Sequence, residues 1–174
     1  MKKYFLTLTL LGSVIYGCLA QTTTTSTATP GRSSKFSIGV DAGRPVGKAS
    51  DIYNFAIGGS IKYDAMISND AFVTFSAGYE SLLVKNSLKT AIGISNSGYI
   101  PLKAGLKYYF SEGFYGEGQL GIAIATQSGG GTAFAYAPGI GYTFNGGFEA
   151  GLRYEDWSKN GTIGQIALRL AYGF

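Results

Sequence analysis

The sequence predicts an all-β fold, an eight-stranded antiparallel up-and-down transmembrane β-barrel, and three observations predict it. Residues 36–174 alternate with period two in eight segments long enough to cross a bilayer as tilted strands. One face of these segments carries large apolar side chains, while the other carries Gly, Ala, Ser, Thr and the charges. Aromatic residues on the apolar face gather at the strand ends, with aliphatic residues between them. A soluble barrel keeps its large apolar side chains inside, so this distribution turns the apolar face toward lipid. Closure into a barrel then pairs every backbone group, as hydrocarbon demands.

The chain is expected to begin with an export leader. Lys2 and Lys3 form a positive start, Tyr4 to Tyr16 is apolar, and Gly17-Cys18-Leu19-Ala20 precedes Gln21. Small side chains at −3 and −1 place signal-peptide cleavage between Ala20 and Gln21, so residues 1–20 are read as a signal peptide. An uncleaved anchor is the competing reading, against which stand the short apolar run and the Thr-rich sequence after it. A lipid-modified Cys18 is another, but Ile15 and Tyr16 fit a lipobox poorly. Residues 21–35, rich in Thr and Ser, have little to bury and are expected to form a disordered periplasmic tail. The barrel is expected over 36–174.

The eight strands are expected near 36–43, 54–64, 71–80, 99–109, 114–125, 132–144, 147–157 and 162–174. Phe36, Ile38 and Val40 set the outward face of the first strand. Later strands continue it with Phe55, Ile57 and Ile61, then Val73, Phe75 and Tyr79, then Leu102, Leu106 and Tyr108. The second half adds Phe114, Leu120 and Ile122, then Phe134 and Ile140, then Phe148, Leu152 and Tyr154, and last Ile166, Leu168 and Leu170. This face is expected to be free of charge in every strand. The inward face holds five bases, Lys62, Lys103, Lys107, Arg153 and Arg169, and five acids, Asp41, Glu80, Glu117, Glu149 and Glu155.

Turn chemistry supports the up-and-down order. Phe144 and Phe148 must both face outward, which requires a three-residue loop, Asn145-Gly146-Gly147, with Gly147 in a left-handed conformation. Lys159-Asn160-Gly161 is expected to act in the same way. Residues 65–70 and 111–113 are the other short links on the rim that carries the chain ends, the periplasmic rim in this reading. The connections 44–53, 81–98, 126–131 and 158–161 face the exterior. Leu82, Leu83, Val84, Leu88 and Ile92 make 81–98 apolar for a loop. It is either the main contact surface or an extension of strands three and four. Trp157, the single tryptophan, is expected near the outer rim as an interface anchor or part of a contact.

Little in the sequence points to catalysis. The chain has no His, and its one Cys falls in the leader. A mature chain of this kind excludes disulfides, thiolate metal sites and Ser-His or Cys-His pairs. No catalytic, cofactor-binding or metal-binding group is expected. Gly116-Glu-Gly118-Gln-Leu-Gly121 matches a dinucleotide-binding string but lies within one strand, not between a strand and a helix, so close packing explains it better. Ser128 to Gly131 reads as a loop tip, and Asn160-Gly-Thr162 as a turn. Two of the 14 bases belong to the leader, so the net charge of +4 does not argue for nucleic acid.

The chain resembles the small outer-membrane β-barrel family, of the OmpA transmembrane-domain, OmpX and OmpW type. The resemblance rests on the Ala20-Gln21 junction, on Tyr99-Ile-Pro-Leu-Lys-Ala-Gly-Leu-Lys-Tyr-Tyr-Phe110, and on the closing Ala171-Tyr-Gly-Phe174. It implies that Leu170, Tyr172 and Phe174 form the signal read by the barrel-assembly machinery, and that outer-membrane lipid surrounds the barrel. Nothing follows the barrel in this chain, so the peptidoglycan-binding domain of longer relatives is expected to be absent.

Three functions follow as expectations. The first is a non-enzymatic outer-membrane protein, structural or surface-interacting, with a side-chain plug: Lys107 faces Glu117 and Glu149 neighbours Arg169. The second is a narrow porin-like channel for small or hydrophobic solutes. The third is a soluble lipocalin-like binding barrel, which requires the apolar face to turn inward.

Overall fold

The computed structural model describes residues 33–93, 95–127, 129–159 and 161–174. The leader, its cleavage point at Ala20 and Gln21, and the Thr-rich stretch up to residue 32 lie outside the described residues. Eight strands run β1 Lys35–Val46, β2 Tyr53–Met66, β3 Ala71–Val84, β4 Ser97–Tyr109, β5 Phe114–Ala125, β6 Thr132–Thr143, β7 Phe148–Ser158 and β8 Thr162–Gly173. Each pairs antiparallel with the next, and β1 pairs with β8 to close the barrel. The seam is sealed at the end by reciprocal backbone bonds between Phe36 and Phe174, at 3.2 and 2.8 Å.

The facing follows the alternation in the sequence. Ile38, Val40, Leu106, Leu120 and Ile140 are each about three-fifths exposed on the outside of the barrel. Lys62, Lys107, Glu149 and Glu155 are buried inside it. This is the reverse of a soluble barrel, so the lipocalin-like expectation is overturned. Among the described residues no helix is long and apolar enough to cross a membrane, and the strands carry the apolar band.

The turns have the predicted register. Phe144 N–H donates to Phe148 O at 2.8 Å, with Gly146 and Gly147 at φ of 85° and 89°. Ser158 pairs with Thr162 across the next hairpin, again leaving three residues in the loop. The glycine-rich string of residues 116–121 lies wholly in β5. Close approach explains only its last glycine, where a Cβ on Gly121 would sit 2.0 Å from Leu102 O.

Three expectations need correction. The strands run further than the alternation suggested at the rim opposite the chain ends. β3 continues to Val84 and β4 starts at Ser97, so the supposed 81–98 loop shrinks to a connection with a short helix at Asn86–Ile92. The apolar residues Leu82 and Val84 are buried in strand positions, not displayed on a loop. A second short helix, Ala49–Ile52, lies between β1 and β2.

Trp157 is also misplaced by the sequence reading. It is 1% exposed and packs against buried Ala56, Leu82, Ala123 and Ala135 inside the barrel, so it is not an interface anchor. Its odd position in β7 puts it on the same face as Glu149 and Glu155.

Finally, the outward face is not free of charge. Asp156 shares its parity with Phe148, Leu152 and Tyr154, and Arg44 lies in the extended end of β1 opposite Ile166. Both lie toward the strand ends, where the strands outrun the apolar band. Asp156 is buried and accepts hydrogen bonds from Tyr154 Oη at 3.2 Å and Ser158 Oγ at 2.7 Å.

Candidate functional site

The barrel interior is layered, and the layers follow from which inward positions on neighbouring strands come level. Nearest the chain ends lies an aromatic cap of Phe72, Tyr109 and Tyr115. Tyr109 meets both other rings edge-on, at 5.6 and 5.5 Å between centroids. Above it lies a first charged layer centred on Glu149. One carboxylate oxygen accepts from Lys62 Nζ and Tyr115 Oη, both at 2.9 Å, and the other from Lys107 Nζ at 2.6 Å. Lys107 also donates to Asp64 at 3.1 Å, and Lys62 lies 3.4 Å from Glu117. Lys35 and Arg169 approach Glu149 more distantly, at 3.7 and 3.6 Å. Lys107 Nζ sits 3.9 Å from the Tyr115 ring centroid, so the cap and the charges stabilise each other.

A neutral girdle follows, in which Gln119 Nε2 donates to Thr74 Oγ1 at 3.2 Å. Arg169 also donates to Ser60 and Ser37. The second charged layer is centred on Glu155. Lys103 Nζ and Arg153 Nε donate to its two oxygens, each at 2.6 Å, and Trp157 Nε1 donates at 2.9 Å. Arg153 Nη1 donates to Asp41 at 2.7 Å, and Ser60 Oγ donates to the same carboxylate at 2.6 Å. Glu80 accepts from Gln165 Nε2 and forms no salt bridge with the described residues. Trp157 and its alanine and leucine neighbours close this end, with the Tyr99 ring 4.8 Å away.

All ten predicted charges therefore face the interior and join this system. Lys107 does pair in register with Glu117, but its ammonium turns to Glu149 and Asp64. Glu149 and Arg169 are neighbours as expected. The sequence reading missed Lys35 and Asp64. Asp64 was legible, since it has the inward parity of Lys62. Lys35 lay one residue before the expected first strand.

The polar packing leaves little room. Two internal voids of about 30 and 20 Å³ lie along the charged layers, each with space for a water or two. Among the described residues, no group of three or more metal-ligating side chains gathers. Leu170 and Tyr172 are outward-facing on β8, and Phe174 is exposed just past its end.

The comparisons agree with this architecture. Ail, the attachment invasion locus protein of Yersinia pestis, is 21% identical over 81% of this chain and 97% of its own, with a TM-score of 0.55. The N-terminal β-barrel domain of Pseudomonas aeruginosa OprF is 15% identical over 82% and 98%, with a TM-score of 0.58. A de novo designed transmembrane β-barrel is 15% identical over 84% and 100%, with a TM-score of 0.54. The fold is that of the small outer-membrane β-barrels. No family model matches the chain, and no curated protein sequence matches it. Identities this low support the fold alone.

Proposed function

We propose that this chain is a non-enzymatic outer-membrane barrel that does not conduct solutes and acts through the rim opposite its chain ends. The observation that carries this reading is the filled interior. Six bases and five of the six acids among the described inward residues interlock through salt bridges in two layers, the sixth acid, Glu80, is hydrogen-bonded to Gln165, and two voids along the layers are of water size. Buried charges persist only when paired, so this arrangement reads as a structural core and not as the wall of a pore. An eight-stranded barrel is just wide enough for side chains to fill.

The apolar exterior supports lipid as the surrounding medium. With the chain ends periplasmic, the rim carrying the two short helices faces the outside. Ail, an attachment protein by its name, has the same architecture, which favours a surface-contact role for these loops. The outward aromatic edge of β8 is suited to recognition by the barrel-assembly machinery through Leu170, Tyr172 and Phe174.

The test is planar-bilayer recording on refolded protein whose insertion is verified by a shift in gel mobility between unboiled and boiled samples. A silent bilayer is expected. Discrete, reproducible current steps would overturn the plug and favour the narrow channel.

A further inference from the structure

A recess of about 500 Å³ opens at the rim opposite the chain ends, directly above Trp157. Tyr53, Tyr99 and Ile163 form its half-buried inner wall, and exposed Ile52 overhangs it. Tyr53 is held by a 3.1 Å hydrogen bond between its hydroxyl and Ser97 Oγ. The polar edge of Trp157 is turned down onto Glu155, so the indole offers the recess only apolar surface. Lys48 and Lys159 are the charged residues of the lining, which contains no carboxylate. Lys159 Nζ donates to Gly130 O at 2.8 Å, which fixes its ammonium to the wall.

An apolar, aromatic floor beneath two lysines that hold no salt bridge among the described residues is complementary to one kind of small molecule. We propose that this recess binds an amphipathic organic anion from the surrounding water, with a flat apolar body against Tyr53, Tyr99 and Ile163. Lys48 and Lys159 meet its carboxylate or sulfonate. The volume suits a ligand of ordinary small-molecule size. An inorganic anion leaves the floor unused. A neutral apolar molecule leaves the lysines unused. The wall residues pack on the interior cluster of the barrel and not on its outer face, so membrane lipid is not the source.

The inference deepens the outer-rim reading and rests on it. Its test uses the barrel in lipid nanodiscs and naphthalene sulfonate as the probe. Trp157 is the single tryptophan, so its fluorescence reports on the floor of the recess. Saturable quenching is expected. Lys48→Glu should weaken the affinity roughly threefold, and Lys48→Glu with Lys159→Glu by about tenfold or more. Naphthalene methanol, which lacks the charge, should bind more weakly than the sulfonate. Absence of saturable quenching overturns the proposal, as does equal binding of the neutral analogue or unchanged affinity in both variants. Gel mobility confirms that the variants remain folded. Bilayer recording on the same preparation separates the two claims: silence without quenching removes the recess and keeps the plug, whereas current steps remove the plug.

Discussion

The two charged layers of the interior differ in how their carboxylates are shared. Around Glu149, Lys62 and Lys107 each have a second acid within reach, Glu117 or Asp64 for Lys62 and Asp64 for Lys107. Around Glu155, Arg153 also has Asp41, but Lys103 has no other salt bridge with the described residues. The first layer carries four bases against three acids, and the second two bases against three. Neither is neutral alone, yet the interior as a whole is balanced. The difference teaches that a plug of this kind is not uniformly robust. Where partners are duplicated, the loss of one acid redistributes contacts. Where they are single, it strands a buried cation.

The largest expected effect follows from that asymmetry. Glu155→Gln leaves Lys103 buried without its counter-charge and should cost about 3–5 kcal/mol. Glu149→Gln removes the more crowded hub yet should cost less, about 1.5–3 kcal/mol, because Asp64 and Glu117 remain for Lys62 and Lys107, the two lysines that hydrogen-bond to it, while Lys35 and Arg169 stand further off at 3.7 and 3.6 Å. Equilibrium urea unfolding in lipid vesicles measures both. An equal cost, or the reverse order, would break the comparison.

The same pair of layers shows what the sequence could tell. Alternation alone gave the facing of all ten predicted charges, because a closed barrel has only two faces and a one-residue slip would put lysines into lipid. The level of each charge along the barrel axis is a different matter. It depends on the stagger between strands far apart in sequence, and no local pattern records it. So Lys107 was assigned to Glu117, its register partner, while its ammonium is drawn across the lumen to Glu149 and Asp64. Trp157 and Leu82 were missed for a related reason. Large apolar side chains on the inward face break the small-and-polar rule, and they do so where the interior must be sealed. At that end the strand bounds were also too short, since aromatic bands mark where the lipid ends and not where the hydrogen-bonded ladder ends.

A lysine moved by one residue sharpens the contrast between inside and outside. Lys103 is tolerated because Glu155 meets it. Its neighbour Leu102 points outward from the middle of β4 and is 40% exposed. Leu102→Lys should cost about 2–4 kcal/mol in a bilayer, since no acid awaits it on that face. The same unfolding measurement checks this, and a neutral result would mean that Leu102 does not face hydrocarbon.

The smallest expected effect concerns Glu80, the acid of the second layer that holds no cation. It lines the same small void as Lys103, and Gln165 links to it from β8. Glu80→Gln retains an acceptor oxygen for Gln165 and removes a charge that pairs with no base, so its cost should stay within about 1 kcal/mol. Its value lies in combination. If Lys103 turns to Glu80 once Glu155 is neutralised, the double variant Glu80→Gln with Glu155→Gln should cost more than the two single changes added together. A coupling of about 0.5–3 kcal/mol in that cycle makes Glu80 the second partner that the layer otherwise lacks. Strict additivity would leave Lys103 dependent on Glu155 alone, and the contrast with the duplicated partners around Glu149 would stand at its sharpest.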